Sequence, residues 1–283
     1  MLGKMKRYIG IIMLIISLAL TSYPLISNIL YESEASSAIQ EYNKKTEKMT
    51  TEELQENQLD IDQYNAIISS SGVHLTDPFI DETNNTLYGY KVLQDKSEIM
   101  AYLEIPTLSL TLPVFYGTEE ESLTRGVGHL NGTSIPSKDK TNHSVICGHT
   151  GYSKARLFTD LVELKKGDMF YITINREKLA YTVDDITITE PSDVSKLRIY
   201  ENKNYVTLYT CTPYGQNTHR LLVRGRLTPY SKEKYEAQQK TFWDKIFQSS
   251  WLKEYYKAII WGVLLVLTIN VMYKKFLRVK NKG

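Results

Sequence analysis

Residues 205–223 read YVTLYTCTPYGQNTHRLLV. A run rich in β-branched and aromatic residues leads into Cys211, a Thr-Pro-Tyr-Gly turn signal follows, and Arg220 opens a second apolar run. This predicts two strands and their connecting loop. If the strands pair, the loop folds back and brings Arg220 near Cys211. A thiol at the end of a rigid strand, beside a loop, is both held and reachable.

The same texture extends outward from this stretch. Thr182-Val183-Asp184, Ile186-Thr187-Ile188-Thr189 and Ser144-Val145-Ile146-Cys147 are further β-like runs, and the pattern begins near Tyr102. Frequent Pro and Gly with few helical segments predict a closed or nearly closed β-barrel. One helical insert is predicted over Lys154–Leu164, where Ala155, Phe158, Leu161 and Val162 line a face before Lys165-Lys166-Gly167-Asp168 turns the chain. Upstream, Ser33 to Ser70 is polar and helical. Thr50-Thr51-Glu52-Glu53 reads as a capping box opening a helix through Leu54, Ile61, Tyr64 and Ile68. Thr76-Asp77-Pro78-Phe79 breaks it, and Asn84-Asn85 and Gly89 continue the loop, so this region reads as an appendage to the barrel.

The chain has 283 residues, 42% apolar and 23% charged, with a formal charge of +2. These values exclude a disordered or collagen-like chain, and so small a charge argues against a nucleic-acid partner. The charge is unevenly distributed. Residues 1–30 carry three basic side chains and no acid, and residues 258–283 carry five and no acid, leaving a net −6 between them. Tyr8 to Leu30 is 23 residues without a charge, long enough at 1.5 Å per residue to cross a bilayer. Ser17-Leu18-Ala19 leaves a cleaved signal peptide as the competing reading. Ala258 to Tyr273 is a shorter uncharged run of 16 residues. Trp251, Tyr255 and Tyr256 precede it, and Lys257 and Lys274 flank it, as at a membrane interface. The expected order is a cytoplasmic N-terminus (1–7), a transmembrane signal-anchor (8–30), a helical appendage with the 77–79 loop (31–97) and the barrel (98–230). A juxtamembrane segment (231–257), a second transmembrane helix (258–273) and a basic cytoplasmic tail (274–283) complete it. Both termini are then cytoplasmic and the barrel extracellular.

The chain has two cysteines, Cys147 and Cys211, and five histidines. An even cysteine count outside the membrane suggests a disulfide, although a domain of this size needs no staple. Metal fits poorly: no CxxC or HxxxH spacing occurs, and Cys147-Gly148-His149 completes no four-ligand set. Cysteine catalysis needs a thiolate, an imidazole to move protons and a donor for the developing oxyanion. Cys211, His149 and Arg220 supply these types, each at the end of a β-like run. His129, His143 and His219 compete for the basic role, and His219, next to Arg220 on a strand, should face the other way. By residue type alone, a buried structural Cys, a hydrogen-bonded His and a solvated Arg are the ordinary readings of these three residues.

Thr207-Leu208-Tyr209-Thr210-Cys211 resembles the TLxTC signature of sortases, the membrane-anchored cysteine transpeptidases of Gram-positive bacteria. Thr212-Pro213-Tyr214-Gly215, the run Asn217 to Gly225, Cys147-Gly148-His149-Thr150-Gly151 and Gly126-Val127-Gly128-His129-Leu130 extend the likeness over about residues 75–228, most nearly to the pilus-building class C. The resemblance implies an eight-stranded β-barrel with short helices. It implies Cys211 as nucleophile, His149 as proton donor and acceptor, Arg220 as oxyanion or substrate-positioning group, and no cofactor. An LPxTG-like sorting signal would be cut after its Thr, held as a thioester and passed to a pilin lysine. Asp77-Pro78-Phe79 resembles the class C lid, with Asp77 facing Arg220 and Phe79 covering the thiol. Cys147 departs from the family pattern, which carries a small residue there; it is expected to fill core space, leaving two free thiols. Three rival readings remain: a housekeeping sortase using peptidoglycan amines, a silent pilin-docking scaffold, and a simple thiol protease.

Overall fold

The computed structural model describes residues 2–71, 75–80, 99–238, 255–257, 259–264, 266 and 268. Helix α1 (Leu2–Lys48) runs without a break from the apolar segment into the polar one, with Pro24 inside it. Among the described residues it is the one helix long and apolar enough to cross a membrane, with a mean hydropathy of 1.8 from Ile11 onward. The capping box then opens α2 (Thr51–Ser71): the Thr50 N–H donates to Glu53 Oε2 at 2.7 Å, and the Glu53 N–H donates to Thr50 Oγ1 at 3.2 Å.

The barrel strands follow as β1 (Ile99–Ile105), β2 (Leu110–Tyr116), β3 (Val127–His129) and β4 (Asn142–Cys147), with helix α3 (Glu120–Arg125) between β2 and β3. Then come β5 (Met169–Ile174), β6 (Glu177–Thr189), β7 (Asn204–Thr212) and β8 (His219–Thr228), and the short helix α4 (Lys232–Ala237). The sheet closes in the order β1-β2-β3-β4-β7-β8-β6-β5. Two pairings are parallel, β2 with β3 and β4 with β7; the others are antiparallel. The two runs at 182–184 and 186–189 are one strand, β6, with a register shift between Val183 and Asp185.

The helical insert expected over Lys154–Leu164 is corrected by the structure: only Thr159–Glu163 is helical, and as a 3-10 turn. Tertiary bonds claim the preceding backbone. The Arg156 N–H donates to Asn28 Oδ1 on α1, the Phe158 N–H donates to the His149 carbonyl, and Leu157 sits at φ 41°. An α-helix cannot form through those constraints. Asn84-Asn85 and Gly89 lie outside the described residues, as do Trp251, part of the 258–273 run and all of the basic tail 274–283.

Helix α2 docks through Ile61, Tyr64 and Ile68, which join the core formed by barrel residues such as Leu103, Ile146 and Val206. Asn65 adds a two-way clamp: its amide donates to the Ile135 carbonyl at 3.0 Å, and its carbonyl accepts the Ile135 N–H at 2.8 Å. Two histidines are built into the barrel wall. His129 Nε2 donates to the Ser134 carbonyl at 2.9 Å. His143 donates through Nδ1 to the Arg198 carbonyl at 2.7 Å and accepts from the Thr207 hydroxyl at Nε2, 2.8 Å away. Burial lowers both rings from 6.5 to about 4.

Two outcomes follow for stability. Asn65→Ala leaves the buried Ile135 N–H without its acceptor and should cost about 1–3 kcal/mol in denaturant unfolding. The two histidines are neutral when folded, while the unfolded chain protonates them below pH 6.5. Their contribution is therefore complete above that pH and lost progressively down to about pH 4, by up to about 3 kcal/mol per ring. A His143→Gln variant should show a shallower acid loss in the same unfolding series.

Candidate active site

Three neighbouring strands assemble the site. In the parallel β4–β7 pair Cys147 lies opposite Tyr209, and the Gly148 N–H donates to the Tyr209 carbonyl at 3.1 Å. Two residues further along each chain, His149 comes level with Cys211. On the other side of β7, Cys211 is directly opposite Arg220 of β8. Neighbouring strands lie about 4.8 Å apart, so all three positions fall at one end of the barrel wall.

The turn carrying His149 is bolted in place. Thr210 donates its hydroxyl to the Gly148 carbonyl at 2.6 Å, so Thr150 is the donor in its 2.8 Å contact with Thr210. The His149 carbonyl accepts the Phe158 N–H at 3.0 Å, and the Gly151 N–H donates to Thr159 Oγ1. A Cβ on Gly148 would sit 2.8 Å from both Phe158 and Val127, so only glycine lets the backbone approach this closely.

Asp77-Pro78-Phe79 lies over this assembly. Asp77 (6% exposed) accepts from Arg220 Nε at 2.7 Å, while its other oxygen accepts the Phe79 N–H at 2.8 Å. Arg220 (3% exposed) also donates through Nη1 to the Asn217 and His219 carbonyls, each at 3.0 Å. The pair is buried but hydrogen-bonded on every side, the condition under which such a pair persists. The Phe79 ring stacks on Tyr209 at 6.0 Å and 6°, tilts against His149 at 5.8 Å, and has the Arg220 guanidinium carbon 5.5 Å from its centre.

Cys211 is 8% exposed. Burial raises its thiol above 9.0, Arg220 pulls it down and Asp77 pushes it up again. Cys147 is fully buried among Leu123, Leu130, Val145 and Leu222, and burial drives its thiol well above the ordinary range. It fills core space, and both cysteines are free. His129 and His143 are engaged within the barrel as described above. His219 lies beside Glu190 at 3.3 Å and is half exposed, with its neighbour Arg220 buried. Among the described residues no cluster of three or more His, Cys, Asp or Glu could hold a metal ion.

Two contacts were not legible in the sequence. Glu120 of α3 places Oε2 3.2 Å from His149 Nε2, and Tyr152 stacks on the His149 ring at 5.9 Å. The buried Tyr209 hydroxyl has no hydrogen-bond partner among the described residues. Glu120 stands in the acidic run Glu119-Glu120-Glu121, which reads as an ordinary helix start. Nothing local in that run points to a histidine 29 residues away.

The Sortase domain family model matches residues 103–228. A Sortase A from Bacillus anthracis is 30% identical over 135 residues, which cover 47% of this chain and 61% of that relative. The crystal structure of Streptococcus agalactiae Sortase C1 superimposes with a TM-score of 0.65 at 35% identity, covering 72% of this chain and all of that one. A Clostridium perfringens sortase C, solved with the C-terminal cell wall sorting motif, gives 0.62 at 38% identity over 69% of this chain and all of that one. With a closed eight-stranded barrel, the matched domain and solved class C neighbours of this similarity, the chain belongs to the sortase family of cysteine transpeptidases.

Proposed function

We propose that this chain is a membrane-anchored class C sortase that polymerises pilin subunits, with Cys211 as nucleophile, His149 as proton carrier and Arg220 as oxyanion donor. The observation that carries the reading is the register that sets Cys211 opposite Arg220, with His149 two residues beyond the end of β4 and the Phe79 ring against both His149 and Arg220.

The Cys211 thiolate attacks the carbonyl carbon of the sorting signal's Thr, and Arg220 faces the oxygen that becomes negative. The amide bond to the next residue breaks, and its nitrogen leaves as an amine with a proton from His149. What remains is a thioester on Cys211. A pilin lysine amine then attacks the thioester carbonyl, His149 takes the proton lost from that nitrogen, and Cys211 departs as thiolate. The product is an isopeptide bond. The sorting motif bound by the Clostridium perfringens neighbour supports an LPxTG-like signal as donor.

In the closed state Asp77 occupies the guanidinium that the oxyanion needs, and burial under the lid holds Cys211 as a thiol. Opening the lid removes both restraints together. We assign residues 8–30 as an anchor, 31–97 as appendage and lid, 98–230 as the extracellular catalytic domain, 231–257 as the juxtamembrane segment and 258–273 as a second span, both termini being cytoplasmic. The apolar part of α1 supports the first span. Transfer to a peptidoglycan amine is the second reading, favoured by relatives that bear the name Sortase A.

Incubated with a pilin carrying its sorting signal, the full chain should form a thioester at Cys211 and lysine-linked polymers, both detectable by mass spectrometry. Cys211→Ala should abolish both, and Cys147→Ala should retain them; the reverse pattern sinks the assignment. A cell-wall peptide in the linkage would favour the second reading. Asp77→Ala should speed alkylation of Cys211, since it frees the lid that buries the thiol and removes the carboxylate that pushes it up. An unchanged alkylation rate would remove the lid from the account.

A further inference from the structure

We infer that Glu120 is a positioning residue for His149: it fixes which ring nitrogen exchanges the proton. This deepens the proposed function and rests on it. Glu120 opens α3, and its Oε2 lies 3.2 Å from His149 Nε2. A carboxylate only accepts hydrogen bonds, so Nε2 must carry the proton whether the ring is neutral or charged. The neutral ring is therefore the Nε2–H tautomer, and Nδ1 is left with the lone pair. The proton from Cys211 goes to Nδ1, and the same nitrogen returns it to the leaving amine. The arrangement is that of a nucleophile, a base and a carboxylate that orients the base, built from three separate elements.

The groups around the ring leave this task to Glu120. Tyr152 stacks on the ring and Phe79 tilts against it, and the hydrogen bond from a ring nitrogen goes to Glu120. Asp77 and Arg220 lie beyond Phe79 and are engaged with each other, and Cys211 is the reaction partner on β7. When the lid lifts, Phe79 leaves and the ring loses one wall. Glu120 and Tyr152 then define its orientation. The Glu120 side chain is 67% exposed, so the pair adds little to folding stability. A kinetic effect of replacing it therefore cannot be traced to unfolding.

The test compares Glu120→Gln with Glu121→Gln, each in a full-length Cys147→Ala chain. Two reactions are followed: alkylation of Cys211, and transfer from an LPxTG peptide to a lysine amine. In Glu120→Gln the transfer kcat should fall about tenfold with KM and melting temperature unchanged, alkylation of Cys211 should slow, and Glu120→Asp should recover part of both losses. Unchanged rates of both reactions, an equal effect from Glu121→Gln, or a kcat loss accompanied only by a lower melting temperature would each overturn the inference. Absence of any Cys211 thioester in the parent would count against the transpeptidase function instead, and the alkylation series would still decide the role of Glu120.

Discussion

The site depends on one constraint, the register of β7 between its two neighbours. Both faces of β7 are buried from Asn204 to Thr212, so a slip of one residue would exchange its inner and outer sets. That slip would swap Tyr209 and Cys211 with Leu208 and Thr210, tearing Phe79 from its stacking partner and Arg220 from its place opposite the thiol. Burial on both faces makes the slip costly. The reactive geometry is thus held by the same packing that holds the barrel, together with the Thr150–Thr210–Gly148 hydrogen-bond chain and the bonds that Phe158 and Thr159 make to the His149 turn.

Upon that frame the Asp77–Arg220 pair sets a two-position element. Its members are nearly free of solvent, and each has further hydrogen-bond partners in the closed state. Exchange for water on opening loses the pair and regains hydration, two large terms of opposite sign. On the proposed reading the closed state is for this reason displaceable and not locked. The carboxylate that covers the Arg220 guanidinium also pushes the Cys211 thiol up, so a lid at this place would restrain both groups together.

How much of this was readable in the residues depended on sequence distance. Cys211 and Arg220 are nine positions apart around a turn signal, and pairing of their strands is a local inference. The capping box at Thr50–Glu53 was equally local. The parallel partner β4 was not, because side-chain types in Asn142–Cys147 do not say which strand lies alongside. His149 could be placed at a strand end but not beside Cys211 without the family resemblance. The helix expected at Lys154–Leu164 had a satisfactory apolar face, and lost to backbone bonds from Asn28 and His149 that no local pattern encodes. Glu120 was hidden for the same reason.

Helix α1 does not stop where its apolar segment ends. Past Leu30, α1 stays against the barrel. Tyr31 donates to the Arg125 carbonyl at the end of α3, Tyr42 donates to the Met100 carbonyl on β1 and accepts the Asn175 N–H, and Asn28 accepts the Arg156 N–H. These contacts extend over some 15 residues of helix, about 22 Å of rigid rod at 1.5 Å per residue. If α1 is the anchor proposed above, a flexible linker would let the barrel tumble above the membrane, whereas this rod would fix its face. Arg125 is the last residue of α3, and Glu120 is the first, so the element that meets His149 is itself tied to α1. A sorting signal whose protein is itself held at the membrane would then meet the Cys211 end of the barrel at a set height and orientation. Part of the orienting entropy is removed before binding begins.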